Sequence, residues 1–149
     1  MTLKLWIDAD ACPRDVKDIV LRASARLDLP VCLVSNTKLP VKCSGRVSSV
    51  LVARGFDEAD DFIVNQVSPG DIVITADIPL AAKIVDRGAL AIDPRGELYD
   101  QTNVKERLAM RDLYQELRSS GLDLSGPPPY KAADKRKFAA TLDRLLSRR

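Results

Sequence analysis

Along the first hundred residues, short apolar runs alternate with stripes of apolar residues at helical spacing. The run Leu-Lys-Leu-Trp-Ile at 3–7 predicts a first strand. Pro13 stands where a first helical residue is favoured. Val16, Ile19, Val20, Ala23 and Leu27 then carry a helix to about Asp28. Residues 31–34 predict a short buried strand, 35–46 a polar loop containing Pro40 and Gly45, and 47–52 a third strand. Gly55 breaks the chain, and Asp57 suits the N-cap of a helix to about Val67. A turn at Pro69-Gly70 leads to a fourth strand at 71–75. A helix from Pro79 to Gly88 and a fifth strand at 89–92 follow, closed by Pro94-Arg95-Gly96. A long helix over about 103–119, a stiff Gly-Pro-Pro-Pro connector at 126–129 and a basic amphipathic helix at 134–146 complete the chain.

Strands alternating with helices predict an α/β fold of three layers: a mostly parallel five-stranded sheet flanked by helices. Right-handed crossovers make it doubly wound. The two extra C-terminal helices have no strands of their own and should pack on that core. The length of 149 residues suits one domain, 1–149, with a core over 1–100 and a helical extension over 101–149.

The net charge of +2 is too small to argue for nucleic acid, but it is unevenly spread. Residues 131–149 carry +5 and the rest −3. An acidic body with a basic tail suits a polyanion partner and a separate cation site; a solvated helix face would read the same. No signal-peptide pattern opens the chain, and no apolar run approaches the roughly 20 residues that span a bilayer. Three cysteines without a C-x-x-C pair suit a reducing cytoplasm. Histidine is absent, which removes imidazole-based nucleophile pairs and leaves any metal to carboxylates. Carboxylate ligands favour Mg²⁺ or Mn²⁺ over zinc.

In such folds ligands bind outside the carboxyl ends of the strands. There the chain offers Asp8 and Asp10, then Ser35-Asn36, then Asp57, Asp60 and Asp61, then Thr75 and Asp77, and lastly Asp93. Gathered carboxylates repel and must protonate or bind a cation. Two hard cations about 4 Å apart can clamp a phosphodiester. Singly, each of these residues is as easily a cap or a turn former, and Asp93 before Pro94 reads as a turn. Cys12, at a helix start with no base nearby, reads as a packed small residue rather than a nucleophile.

Asp8-Ala-Asp-Ala-Cys-Pro13, Gly55-Phe-Asp-Glu-Ala-Asp-Asp61, Ile74-Thr-Ala-Asp-Ile-Pro-Leu-Ala81, Pro94-Arg-Gly-Glu-Leu-Tyr99 and Arg107-Leu-Ala-Met-Arg-Asp112 resemble the bacterial YaiI/YqxD protein family over essentially the whole chain. The resemblance implies a cytoplasmic protein of PIN-like fold. More distantly, Glu58-Ala-Asp-Asp61 is similar to the acidic helix motif of 5′-nucleases, and Thr75-Ala-Asp77 to the strand-end motif of PIN nucleases. Those likenesses imply Asp8, Asp10, Asp60, Asp61 and Asp77 as catalytic metal ligands, with Asp57 added to the metal set. Asp10 and the Cys12-Pro13 pair depart from the PIN pattern.

The leading expectation is therefore a nuclease dependent on Mg²⁺ or Mn²⁺ that acts on RNA or single-stranded nucleic acid. Ser35, Asn36, Lys38 and Thr75 are its candidate substrate contacts, with Lys42 and the basic tail steering the backbone. The alternative is a haloacid-dehalogenase-like phosphatase, with Asp8 as nucleophile and Asp10 as acid/base. Pro13 leaves no room for the excursion those enzymes place after the second aspartate, and Asp60 and Asp61 would be unexplained. A third expectation is a metal-stabilised, non-catalytic domain that binds nucleic acid or protein.

Overall fold

The computed structural model describes residues 3–39, 43–53, 58–122 and 129–147. Six strands form one sheet in the order β3-β2-β1-β4-β5-β6. They are β1 (Leu5–Asp8), β2 (Val31–Ser35), β3 (Val47–Leu51), β4 (Ile72–Ile74), β5 (Leu90–Ile92) and β6 (Leu98–Tyr99). The first five are parallel, and β6 runs antiparallel to β5. Five helices accompany them: α1 (Arg14–Leu27), α2 (Glu58–Gln66), α3 (Ile78–Asp86), α4 (Asn103–Ser119) and α5 (Ala132–Ser147). No helix among the described residues is long and apolar enough to cross a membrane.

The period-2 alternation of β1 sorts the core into two layers. Leu5 and Ile7 face one side, where Val16, Val20 and Ala23 of α1 meet Phe138, Leu142, Leu145 and Leu146 of α5. Trp6 faces the other side, with Ile63 of α2 and Leu80, Ala81, Ile84 and Val85 of α3. Central strands buried on both faces have no polar alternation, and β1, β2 and β4 are buried at every position. At the amino end of the sheet, Asp71 accepts from the Lys4 and Ser68 amides and from the Trp6 indole N–H at 3.0–3.1 Å. Its carboxylate thereby ties β1 to β4.

Two expectations are corrected. The sheet has six strands rather than five. β6 is only two residues long, too short for any alternation to show, and it is made by the tight turn after β5. There the Asp93 carboxylate accepts from the Arg95 and Glu97 amides, both at 2.9 Å, and Gly96 takes φ +91°. A Cβ on Gly96 would lie 2.7 Å from the Lys137 backbone, so α5 presses directly on this turn. The second correction concerns α4. Only Val104 of its 17 residues is buried, and Met110, Leu113 and Tyr114 are exposed. Of the two C-terminal helices, α5 completes the core, while α4 leans on α3 with its first turns.

Candidate active site at the carboxyl edge of the sheet

The strand order reverses between β1 and β4: the chain leaves β1 toward β2 and β3, then returns to β4 on the opposite side. Such a switch point leaves a crevice outside the carboxyl ends of the two strands. Asp8 is the last residue of β1, and Thr75 follows β4 directly. Both are buried. Thr75 Oγ1 donates to Asp8 Oδ2 at 2.9 Å and accepts from the Asp77 amide at 3.0 Å. Asp77 Oδ1 accepts in turn from the Leu80 amide at 3.1 Å, capping α3, and Pro79 sits in the first turn of that helix. One hydroxyl thus fixes the relation between the carboxylates of two strands. Oδ1 of Asp8 and Oδ2 of Asp77 have no hydrogen-bond partner among the described residues.

The electrostatics of Asp8 follow from this geometry. Burial holds its carboxyl above the ordinary aspartate range, and the negative charges of Asp77 and Asp10 push it further; the Thr75 hydroxyl pulls it back. Asp10 lies in a 3-10 turn, Ala9–Ala11, that continues β1. Its Oδ2 accepts from the Asn36 amide at 2.8 Å and its Oδ1 from the Thr37 hydroxyl at 3.4 Å. Asp10 therefore ties the end of β1 to the end of β2.

The other candidates are more dispersed. Asp60 is buried on α2, and Asp61, next in the helix, is exposed. Ser35 is buried with its hydroxyl donating to the Thr37 carbonyl, while Lys38 is exposed. Asp57 and Lys42 lie outside the described residues. The edge gathers Asp8, Asp10 and Asp77 without closing a ligand shell: among the described residues, no three acidic or cysteine side chains are placed to hold an ion together. Cys12 has its thiol pushed up to about 12, chiefly by burial, with Lys17 lowering it and Asp8 raising it. It packs against the core, and a raised thiol disfavours the thiolate form.

Sequence reasoning missed Thr37 altogether and saw Thr75 only as a substrate contact. In the structure Thr75 is also the pivot between two aspartates. The Thr-x-Asp spacing of a hydroxyl turn was the available signal.

Comparison with known proteins places this geometry in a family. The family described as "Uncharacterized BCR, YaiI/YqxD family" matches residues 6–148. A UPF0178 protein of Geobacter metallireducens is 57% identical over 146 residues, covering 98% of this chain and 94% of its own. One of Trichlorobacter lovleyi is 58% identical over 146 residues, covering 98% and 95%. One of Shewanella sp. (strain ANA-3) is 52% identical over 145 residues, covering 97% of both chains. With nearly its whole length matched, the chain belongs to the bacterial YaiI/YqxD family of UPF0178 proteins.

Proposed function

We propose that this protein is a divalent-metal-dependent nuclease acting on RNA or single-stranded nucleic acid, with its chemistry at the carboxyl edge of β1 and β4. The observation that carries the reading is the Asp8–Thr75–Asp77 connection at the switch point. It holds two carboxylates of like charge near each other, one of them buried and raised toward protonation. The donor chemistry fits a hard cation, which relieves that repulsion. Asp8 and Asp77 would hold the ion, with Asp10 beside them. Asp57, Asp60 and Asp61 remain further candidates from the adjoining helix. When bound, Mg²⁺ or Mn²⁺ supplies Lewis acidity toward a phosphodiester and its attacking water. The chain's own contribution is to pre-set the carboxylates: Thr75 orients Asp8, and the cap on α3 orients Asp77. Asn36 and Thr37 keep Asp10 turned toward β2. The doubly wound sheet is in keeping with a PIN-like fold, and the three free cysteines with a cytoplasmic setting.

The test compares labelled single-stranded RNA with a generic phosphate monoester, each with Mn²⁺ or with chelator. Asp77→Asn is the informative variant, because asparagine caps a helix as well as aspartate does. It removes charge while keeping the start of α3. Metal-dependent strand cleavage that is lost in Asp77→Asn, with the melting temperature retained, is the expected result. Monoester turnover through an acid-labile aspartyl phosphate on Asp8 would replace the nuclease with the phosphatase. Should neither substrate react while Mn²⁺ raises the melting temperature of wild type but not of Asp8→Asn, the protein is a metal-stabilised binding domain.

A further inference from the structure

Helices α1 and α5 lie side by side and run in the same direction. At their carboxyl ends Arg26 pairs with Asp143 at 3.2 Å. At their amino ends Tyr130, just before α5, packs on the same core layer as Cys12, just before α1. Both amino ends meet the sheet at its carboxyl edge. α1 grows from the end of β1 through the 3-10 turn. α5 is fastened to the end of β5, where the Tyr130 hydroxyl donates to the Pro94 carbonyl at 2.8 Å and Thr141 donates to the Gly96 carbonyl at 2.8 Å. β5 is two strands from β1, roughly 10 Å at the usual strand spacing.

This shared end is rich in cations. Arg14 and Lys17 open α1, and Lys131, Lys135, Arg136 and Lys137 open α5. Arg14, Lys131, Arg136 and Lys137 are exposed, and none of the six takes part in an ion pair among the described residues. The acidic residues there are Asp15, Asp18, Asp93 and Asp134, of which Asp134 is engaged by Arg95 at 2.9 Å and Asp93 lies within electrostatic reach of Lys137. The result is a positive rim bordering a negative site, an arrangement that suits a polyanion whose one bond is to be presented to a cation-loaded carboxylate cluster.

We infer that the rim formed by Arg14, Lys17, Lys131, Arg136 and Lys137 is the track for the phosphate backbone of a single-stranded nucleic acid. The inference rests on the nuclease reading for what lies at the end of the track, but the rim's affinity can be measured without cleavage. Contacts from lysine and arginine to phosphates carry no sequence information, so the affinity is sequence-tolerant and falls steeply with salt.

The experiment measures binding of a fluorescein-labelled single-stranded RNA by anisotropy, in chelator, over a series of salt concentrations. The Lys131→Gln/Lys137→Gln double variant is compared with Arg22→Gln/Arg144→Gln, which removes two exposed cations from the far ends of the same helices. The rim variant should bind about tenfold more weakly and lose about 1.4 from the magnitude of its log–log salt slope, or 0.7 per phosphate contact. The far-end variant should stay within about twofold of wild type. Equal losses in both variants, no loss in the rim variant, or no RNA binding by wild type at low salt would each overturn the track. Binding to phosphatidylserine vesicles in place of RNA would do the same. Failure of the nuclease reading looks different: wild type then binds RNA through the rim, yet leaves it intact when Mn²⁺ is added.

Discussion

Replacing Thr75 with valine keeps the bulk of a side chain that is 1% exposed and removes only its hydroxyl. Two interactions go with it. The first is a donor to a buried carboxylate, and hydrogen bonds to charged groups contribute about 1.5–3 kcal/mol. The second is the acceptor for the Asp77 amide, worth about 1 kcal/mol. The predicted loss is therefore about 2.5–4 kcal/mol, each kcal/mol lowering the melting temperature by roughly 2–4 °C in a domain of this size. The loss should also depend on pH. The Asp8 carboxyl is raised in the folded protein, so its contribution to stability is fully present below the unfolded aspartate value of about 3.9 and is lost as pH rises through the folded value. Thr75 is the one influence that lowers Asp8, and without it the folded value climbs further. The gap between wild type and Thr75→Val should thus be smallest near pH 4 and widen toward neutrality. Urea unfolding followed through Trp6, the single tryptophan, measures it. In an Asp8→Asn background the same substitution should cost about 2 kcal/mol, about 1 for each of two hydrogen bonds that are then both neutral. A loss below about 1 kcal/mol, or a gap that stays constant or narrows toward neutral pH, would mean that Thr75 does not stabilise the Asp8 carboxylate.

Three further outcomes follow from the same contacts. Asp71→Ala strands three donors, one of them the Trp6 indole N–H, and should lower stability by about 3–5 kcal/mol in urea titrations. Gly96→Ala combines a positive φ with a Cβ driven into the Lys137 backbone and should cost about 2–5 kcal/mol, seen as a lower melting temperature. Cys12, its thiol pushed up to about 12 by burial, should resist iodoacetamide at pH 8 in the folded protein and react only in denaturant, as peptide mass mapping would show.

Much of the architecture is legible in the sequence because it rests on local patterns. Val16, Val20 and Ala23 announce α1, and the start of α3 is marked by Pro79 within its first turn. The residues at the strand ends are legible too, since β1 and β4 stop where their apolar runs stop. What they do to one another is not. Thr75 and Asp8 are 67 positions apart, and only the order of strands makes them neighbours. Asp71 is similar: its partner Trp6 is 65 positions away, so a buried structural carboxylate reads in sequence like any strand-end aspartate. The turn at 93–97 was visible, but the strand it launches was not, because two residues carry no period. Both C-terminal helices were expected to pack on the core, yet Met110, Leu113 and Tyr114 of α4 are exposed. Periodicity shows that a stripe exists and says nothing of what covers it.

The packing of α5 against β1 bears on how the protein is made. β1 comes first in the chain among the described strands, and it lies at the centre of the sheet. Leu5 and Ile7 share one core layer with Val16 and Val20 of α1 and with Phe138 and Leu142, the last two about 130 residues later in the chain. During synthesis α1 can cover part of that layer early, but the part that α5 fills stays uncovered until that helix emerges. Folding is then committed late, by residues that contribute nothing to the Asp8–Thr75–Asp77 connection. A ribosome stalled before α5 should hold a chain that chaperones recognise and proteases cut.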